Sequence, residues 1–147
     1  MRDLSVVMAA LTAVTTGVGG LVGVVLWWRV TLTAWVWPLL RGGQVVAGFG
    51  AVAAGLRYAL GPQPADELYY LYAVLPVAIG FVAEQLRLAS AETVLDARGL
   101  EDAKAVGRLP EDEQQSVVLA IMRRELGVVA AGALVACFLA LRALGTA

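Results

Sequence analysis

The sequence predicts an all-α, polytopic integral membrane protein: a four-helix transmembrane bundle with cytoplasmic extensions of helices 3 and 4. Three observations carry this. First, 60 % of the 147 residues belong to the set AVILMFWYC before any glycine is counted, against roughly 45 to 50 % with glycine included in soluble domains. Second, charged residues make up only 16 % of the chain, and most of them crowd into residues 84 to 125. Third, four stretches are apolar enough to cross the ~30 Å hydrocarbon layer, which takes about 20 residues of helix.

The first span covers residues 4 to 28 and carries no charge. Its apolar run exceeds the roughly 7 to 15 residues of a secretory signal core, so it reads as a retained helix. The second covers 44 to 60, with Arg57 close to its end; the third covers 68 to 88 and is clean until Glu84; the fourth covers 126 to 144 and is clean until Arg142. Every charge inside a span therefore lies near an end, where it reaches water at little cost.

Aromatic residues mark the same edges, because Trp and Tyr favour the headgroup zone. Trp27, Trp28, Trp35 and Trp37 flank the first break; Tyr58, Tyr69, Tyr70 and Tyr72 flank the second. The two groups belong on opposite faces of the bilayer.

Residues 29 to 43 contain the stretch WVWPLLRGG. An unbroken helix from Arg29 would put Arg41 about 18 Å from its start, near the midplane, where an arginine costs at least ~2.5 kcal/mol. An interfacial path avoids that cost. Pro38 then disfavours helix at Trp37, and Gly42 and Gly43 let the chain turn into the next span. The alternative is a long, kinked second helix with Arg41 facing a polar cavity, which would make Arg41 functional.

Residues 89 to 125 read as a cytoplasmic helical hairpin. Leu86, Leu88, Ala91 and Leu95 recur at helical spacing while Arg87, Glu92, Asp96 and Arg98 lie elsewhere on the wheel. Gly99 is a stop signal, and Pro110 followed by Glu111, Asp112 and Glu113 is a start signal, since acids complement the positive end of a helix. From Pro110 to Leu144 one helix would measure about 52 Å, four turns more than the bilayer needs.

Orientation follows the distribution of Lys and Arg. Arg29, Arg41, Arg87, Arg98, Lys104, Arg108, Arg123 and Arg124 fall on the side of the first and third connections; Arg2, Arg57 and Arg142 fall on the other. Both connections are therefore expected in the cytoplasm and both chain ends outside. The bias of ten arginines to one lysine, with abundant Ala, Val and Gly, points to a GC-rich bacterium and hence to a bacterial inner (cytoplasmic) membrane.

Helices in lipid associate through close backbone approach at small residues. Gly19 and Gly23 form such a face in the first span, Ala47, Ala51 and Gly55 in the second, and Gly132, Ala136 and Ala140 in the fourth.

Few kinds of chemistry remain open. The chain has no histidine, and its one cysteine, Cys137, sits alone in the fourth span as a small packing residue. Zinc sites, histidine-ligated haem, CxxC redox pairs and Ser-His or Cys-His catalysis are unavailable within such a chain. No cofactor, metal site or catalytic residue is expected, and a net charge of −1 gives no nucleic-acid footprint.

The remaining candidate is the polar group Glu84, Gln85 and Arg87 at the inner end of the third span. Glu84 and Arg87, three apart, share a helix face. Pro76, Gly80 and Glu84 recur at four, giving a small, kinkable face that ends in a carboxylate. Gln44 and Arg41 of the second helix are expected at the same level. One reading is a salt bridge that orients a helix leaving the bilayer; the other is a cation or proton site with Glu84 as the exchangeable group. Arg57 is expected to anchor its helix at outer headgroups, or to meet Asp66 or Glu67.

Two functional classes follow. The first is a structural or accessory subunit that assembles with itself or another membrane protein, through its small-residue faces and its cytoplasmic hairpin. The second is a small oligomeric transporter or channel coupled to Glu84.

Overall fold

The computed structural model describes residues 2–31, 33–61, 63–64 and 66–147. Leu32, inside the expected interfacial segment, lies outside the described residues. The chain forms α1 (Arg2–Trp28), α2 (Val36–Leu60), α3 (Leu68–Ala97), a short α4 (Ala103–Val106) and α5 (Glu111–Thr146). Among the described residues, α1, α2, α3 and α5 are the four helices long and apolar enough to cross a membrane.

These four run alternately up and down. The dominant packing pairs are α1 with α2, α2 with α3, α3 with α5 and α5 with α1, so the bundle closes as a ring in that order.

Burial is inverted relative to a soluble bundle. The buried residues of α1 are Ser5, Ala9, Thr12, Ala13, Thr16, Gly19, Gly20 and Gly23, while Leu4, Val7, Leu11, Val14, Val18, Leu21 and Val25 face outward. In α2 the outward set is Val45, Phe49, Val52, Leu56 and Leu60, and Phe81 and Phe138 do the same on α3 and α5. Large apolar side chains outside and small ones inside make sense where the solvent is itself apolar and helices gain by close approach.

The α1–α5 seam shows how close that approach is. A Cβ at Gly23 would lie 2.8 Å from that of Ala130, one at Gly20 2.8 Å from Leu134, and one at Gly17 3.0 Å from the Cys137 sulfur. The seam thus uses Gly17, Gly20 and Gly23. Gly19 faces α2 instead, where a Cβ would make ordinary contact with Leu40 at 3.5 Å.

The α3–α5 seam is antiparallel and regular. Gly132 meets Ala83, where an added Cβ would come within 2.9 Å, and Arg98 Nη2 donates to Ser116 Oγ at 3.0 Å. Gly80 lies beside Gln44, and Ala47 and Ala136 are buried. The expected second-helix stripe does not hold to its end: Ala51 is half-buried, and Gly55 is exposed with nothing within 4 Å of a Cβ there. Helical rotation carries that row off the contact surface, and Ala53, Ala54 and Arg57 take its place inside.

The start of α2 also differs from expectation. Residues 36 to 43 are helical, so the span begins eight residues before position 44, and Gly42 and Gly43 are helix rather than turn. Pro38 is the third residue of α2, where its missing N–H would have had no intrahelical partner in any case. Gly43 serves packing: a Cβ there would meet Thr16 at 3.2 Å.

Helix ends follow capping chemistry. After α3, Gly99 adopts φ +67°, its N–H donates to the Asp96 carbonyl and that of Leu100 to Leu95, the pattern of a Schellman cap. After α1 the same pattern forms, Val30 to Trp27 and Thr31 to Leu26, but the left-handed position is occupied by Val30 at φ 54°. Asp102 caps α4 by accepting from the Ala105 N–H at 2.8 Å, and Gln114 bridges back to the Leu109 carbonyl at 2.8 Å.

Two apolar clusters define opposite ends of the bundle. Val36, Leu40, Leu126 and Val129 pack with Leu26, Trp27 and Trp37 at one. Ala9, Ala54, Tyr69 and Ala143 pack with Tyr70 and Tyr72 at the other.

Candidate functional site

The tryptophan end of the bundle holds a charge network built from three helices. Glu84 lies on α3, one turn before Arg87, and Arg87 Nε donates to Glu84 Oε2 at 2.8 Å. From α2, Gln44 Nε2 donates to Glu84 Oε1 at 3.4 Å, and Arg41 Nη2 stands 3.7 Å from Glu84 Oε2. Arg41 is brought there because α2 starts early enough to include it as helix.

The network continues to α5. Arg87 Nη1 lies 3.7 Å from Glu125 Oε2, and its guanidinium sits over the Trp37 ring, 5.9 Å from the centroid. The charges alternate Arg41, Glu84, Arg87, Glu125, so each carboxylate faces a guanidinium and the group is neutral as a whole. The side chains of Glu84, Arg87 and Glu125 are 24 %, 22 % and 19 % exposed, whereas Arg41 is 56 % exposed. Arg41 is thus the loose outer member of the network.

Of the residues singled out from the sequence, Glu84, Arg87, Arg41 and Gln44 come together. Gln85 does not; one residue along the helix from Glu84, it turns outward and is exposed. Glu125 and Trp37 join the network without belonging to that set. In sequence Glu125 follows Arg123 and Arg124, and the run reads as the polar edge of a span. The available signal was depth, since Glu125 borders Leu126 just as Arg87 borders the end of the third span.

Behind Gln44 lies a small cavity of about 20 Å3 bordered by Thr16, Gln44, Pro76 and Gly80, room for about one water. A second, of about 10 Å3, lies on the other side of Pro76 beside Thr12 and Tyr72. Pro76 has no N–H to give the Tyr72 carbonyl, which leaves helix α3 one bond short between them. The threonine hydroxyls nearby are satisfied by their own helix: Thr12 donates to the Met8 carbonyl at 2.8 Å and Thr16 to that of Thr12 at 2.6 Å.

At the opposite end, Arg57 is 2 % exposed. Its guanidinium lies over the Tyr69 ring at 5.0 Å and donates to the Ala147 carbonyl at 3.5 Å. The expected outward anchor is therefore an interior group, because α2 is rotated so that Arg57 follows Ala53 and Ala54 into the bundle.

Among the described residues no set of three potential metal ligands from His, Cys, Asp and Glu gathers. No known protein family, curated protein or solved structure matches this chain.

Proposed function

We propose that the protein is a non-catalytic structural or accessory module of a bacterial cytoplasmic membrane. In this reading α1, α2, α3 and α5 cross the bilayer, and the ends at Arg2 and Thr146 face outward. The inner parts of α3 and α5, with α4 between them, project into the cytoplasm as a docking hairpin for a membrane or cytoplasmic partner, or for a second copy.

The observation that carries this is the network Arg41–Glu84–Arg87–Glu125. It ties α2, α3 and α5 together where the hairpin leaves the bundle, and it occupies Glu84, the carboxylate on which the transport reading depends. The 2.8 Å contact from Arg87, with the looser one from Arg41, engages Glu84 and supports a strut over an exchangeable group. Affinity purification from the native membrane, followed by mass spectrometry and mass determination in mild detergent, tests the reading. A stoichiometric partner or a defined oligomer is expected; a monomer that co-purifies with nothing would remove its support.

One observation favours the second reading, a small transporter or channel coupled to Glu84. The 20 Å3 cavity is bordered by Gln44, which donates to Glu84, and by the buried Thr16. Liposome flux of protons and monovalent cations, compared between wild type and Glu84→Gln, decides between them. The structural reading expects no flux above empty liposomes in either; flux abolished by the substitution would reverse the preference.

A further inference from the structure

The charge of this chain is sorted by level along the bundle. At the tryptophan end stand Arg29, Arg41, Arg87, Arg123 and Arg124 against Glu84 and Glu125, five less two, or +3. Residues 92 to 113 carry seven acids against three bases, or −4, and the remaining charges, Arg2, Arg57 and Arg142 against Asp3, Asp66 and Glu67, cancel.

Packing fixes the positive set at one height. Leu40, Leu126 and Val36 belong to one cluster with Leu26 and Trp27, and Arg41, Arg123, Arg124 and Arg29 lie within three residues of those positions. Each long helix contributes: Arg29 at the end of α1, Arg41 on α2, Arg87 on α3, Arg123 and Arg124 on α5. Both carboxylates of this level are engaged by Arg87 and Arg41. Arg29, Arg123 and Arg124 are exposed and, among the described residues, form no salt bridge. Arg123 is held over the Trp27 ring at 5.3 Å. The face turned outward is therefore a collar of guanidiniums set among tryptophans.

We propose that this collar binds the phosphates of anionic phospholipids in the leaflet that surrounds it. The proposal rests on the membrane reading above. Guanidinium matches phosphate geometry by paired N–H donors, and the indoles of Trp28 and Trp35, exposed at the same end, favour the headgroup zone. The acids that open α5 do not compete. Glu111 lies about 22 Å from Leu126 along α5, well beyond the ~8 Å over which charge is felt at physiological salt.

The test uses the full chain in nanodiscs of phosphatidylcholine with and without phosphatidylglycerol, reading lipid retention by native mass spectrometry. Wild type is expected to retain phosphatidylglycerol preferentially. The double variant Arg29→Gln/Arg124→Gln, which leaves the Glu84 network intact, is expected to lose about fivefold in preference for each arginine removed. Equal retention of the two lipids, or an unchanged preference in the variant, would overturn the proposal. Displacement of phosphatidylglycerol by inorganic phosphate would assign the collar to a soluble phosphate instead. Failure to enter either disc would remove the membrane reading as well, whereas insertion without selectivity would remove this proposal alone.

Discussion

The Arg87 guanidinium of α3 reaches Glu125 of α5, 3.7 Å away, while its Nε donates to Glu84 at 2.8 Å. One side chain thus joins the exit points of both helices that form the hairpin. Removing it by Arg87→Ala leaves two half-buried carboxylates facing each other, and a loss of about 2 to 4 kcal/mol is expected. Arg41→Ala, which removes an exposed side chain at 3.7 Å, should cost no more than about 1 kcal/mol. Denaturant unfolding in one detergent, with Glu125→Ala completing a double-mutant cycle, measures both. Equal losses for the two arginines would show that Arg87 is not the centre of the network.

The α1–α5 seam makes a second prediction. Gly23→Ala places a methyl 2.8 Å from the Ala130 Cβ, and Gly20→Ala does the same against Leu134, so each should lose about 1 to 3 kcal/mol through overpacking. Gly55→Ala meets nothing within 4 Å and should gain up to about 1 kcal/mol by helix propensity. Thermal unfolding of the three variants reads the sign directly. A gain at Gly23 would mean that the two helices stand further apart.

Val30 is a third point of attack. A β-branched residue at φ 54° is strained by about 1 to 2 kcal/mol, and Val30 is 49 % exposed, so little packing opposes replacement. Val30→Gly should raise stability by about 1 kcal/mol. A fall in the thermal midpoint would mean that Val30 makes contacts that outweigh the strain.

Much of this was legible in the sequence because each signal was local. Span length, the Gly99 stop and the Pro110 start depend only on neighbours in the chain, and α3 and α5 end and begin where those signals stand. The Glu84–Arg87 pair was legible for the same reason, being one turn apart on one helix. What escaped depends on rotation about a helix axis and on register between helices. A small-residue row at four-residue spacing drifts around a 3.6-residue helix, so Gly55 turned outward and Arg57 inward. Glu125 joined Arg87 only because Ala83 and Gly132 set the α3–α5 register. Pro38 leaves a break and a longer second helix both open in sequence because its position relative to the helix start is not legible there, and a proline in the first turn breaks nothing.

The claim on which the account depends is that α1, α2, α3 and α5 cross a bilayer with the α3–α5 hairpin inside the cell. Single-cysteine labelling tests it most directly. In a Cys137→Ala background, Lys104→Cys reports on the hairpin and Glu67→Cys on the α2–α3 connection, both positions being exposed. An impermeant maleimide applied to intact cells, or to spheroplasts where an outer membrane intervenes, should label Glu67→Cys and leave Lys104→Cys untouched until the inner membrane is permeabilised. Labelling of Lys104→Cys with protection of Glu67→Cys would invert the topology, and labelling of both before permeabilisation would contradict the membrane-spanning bundle itself.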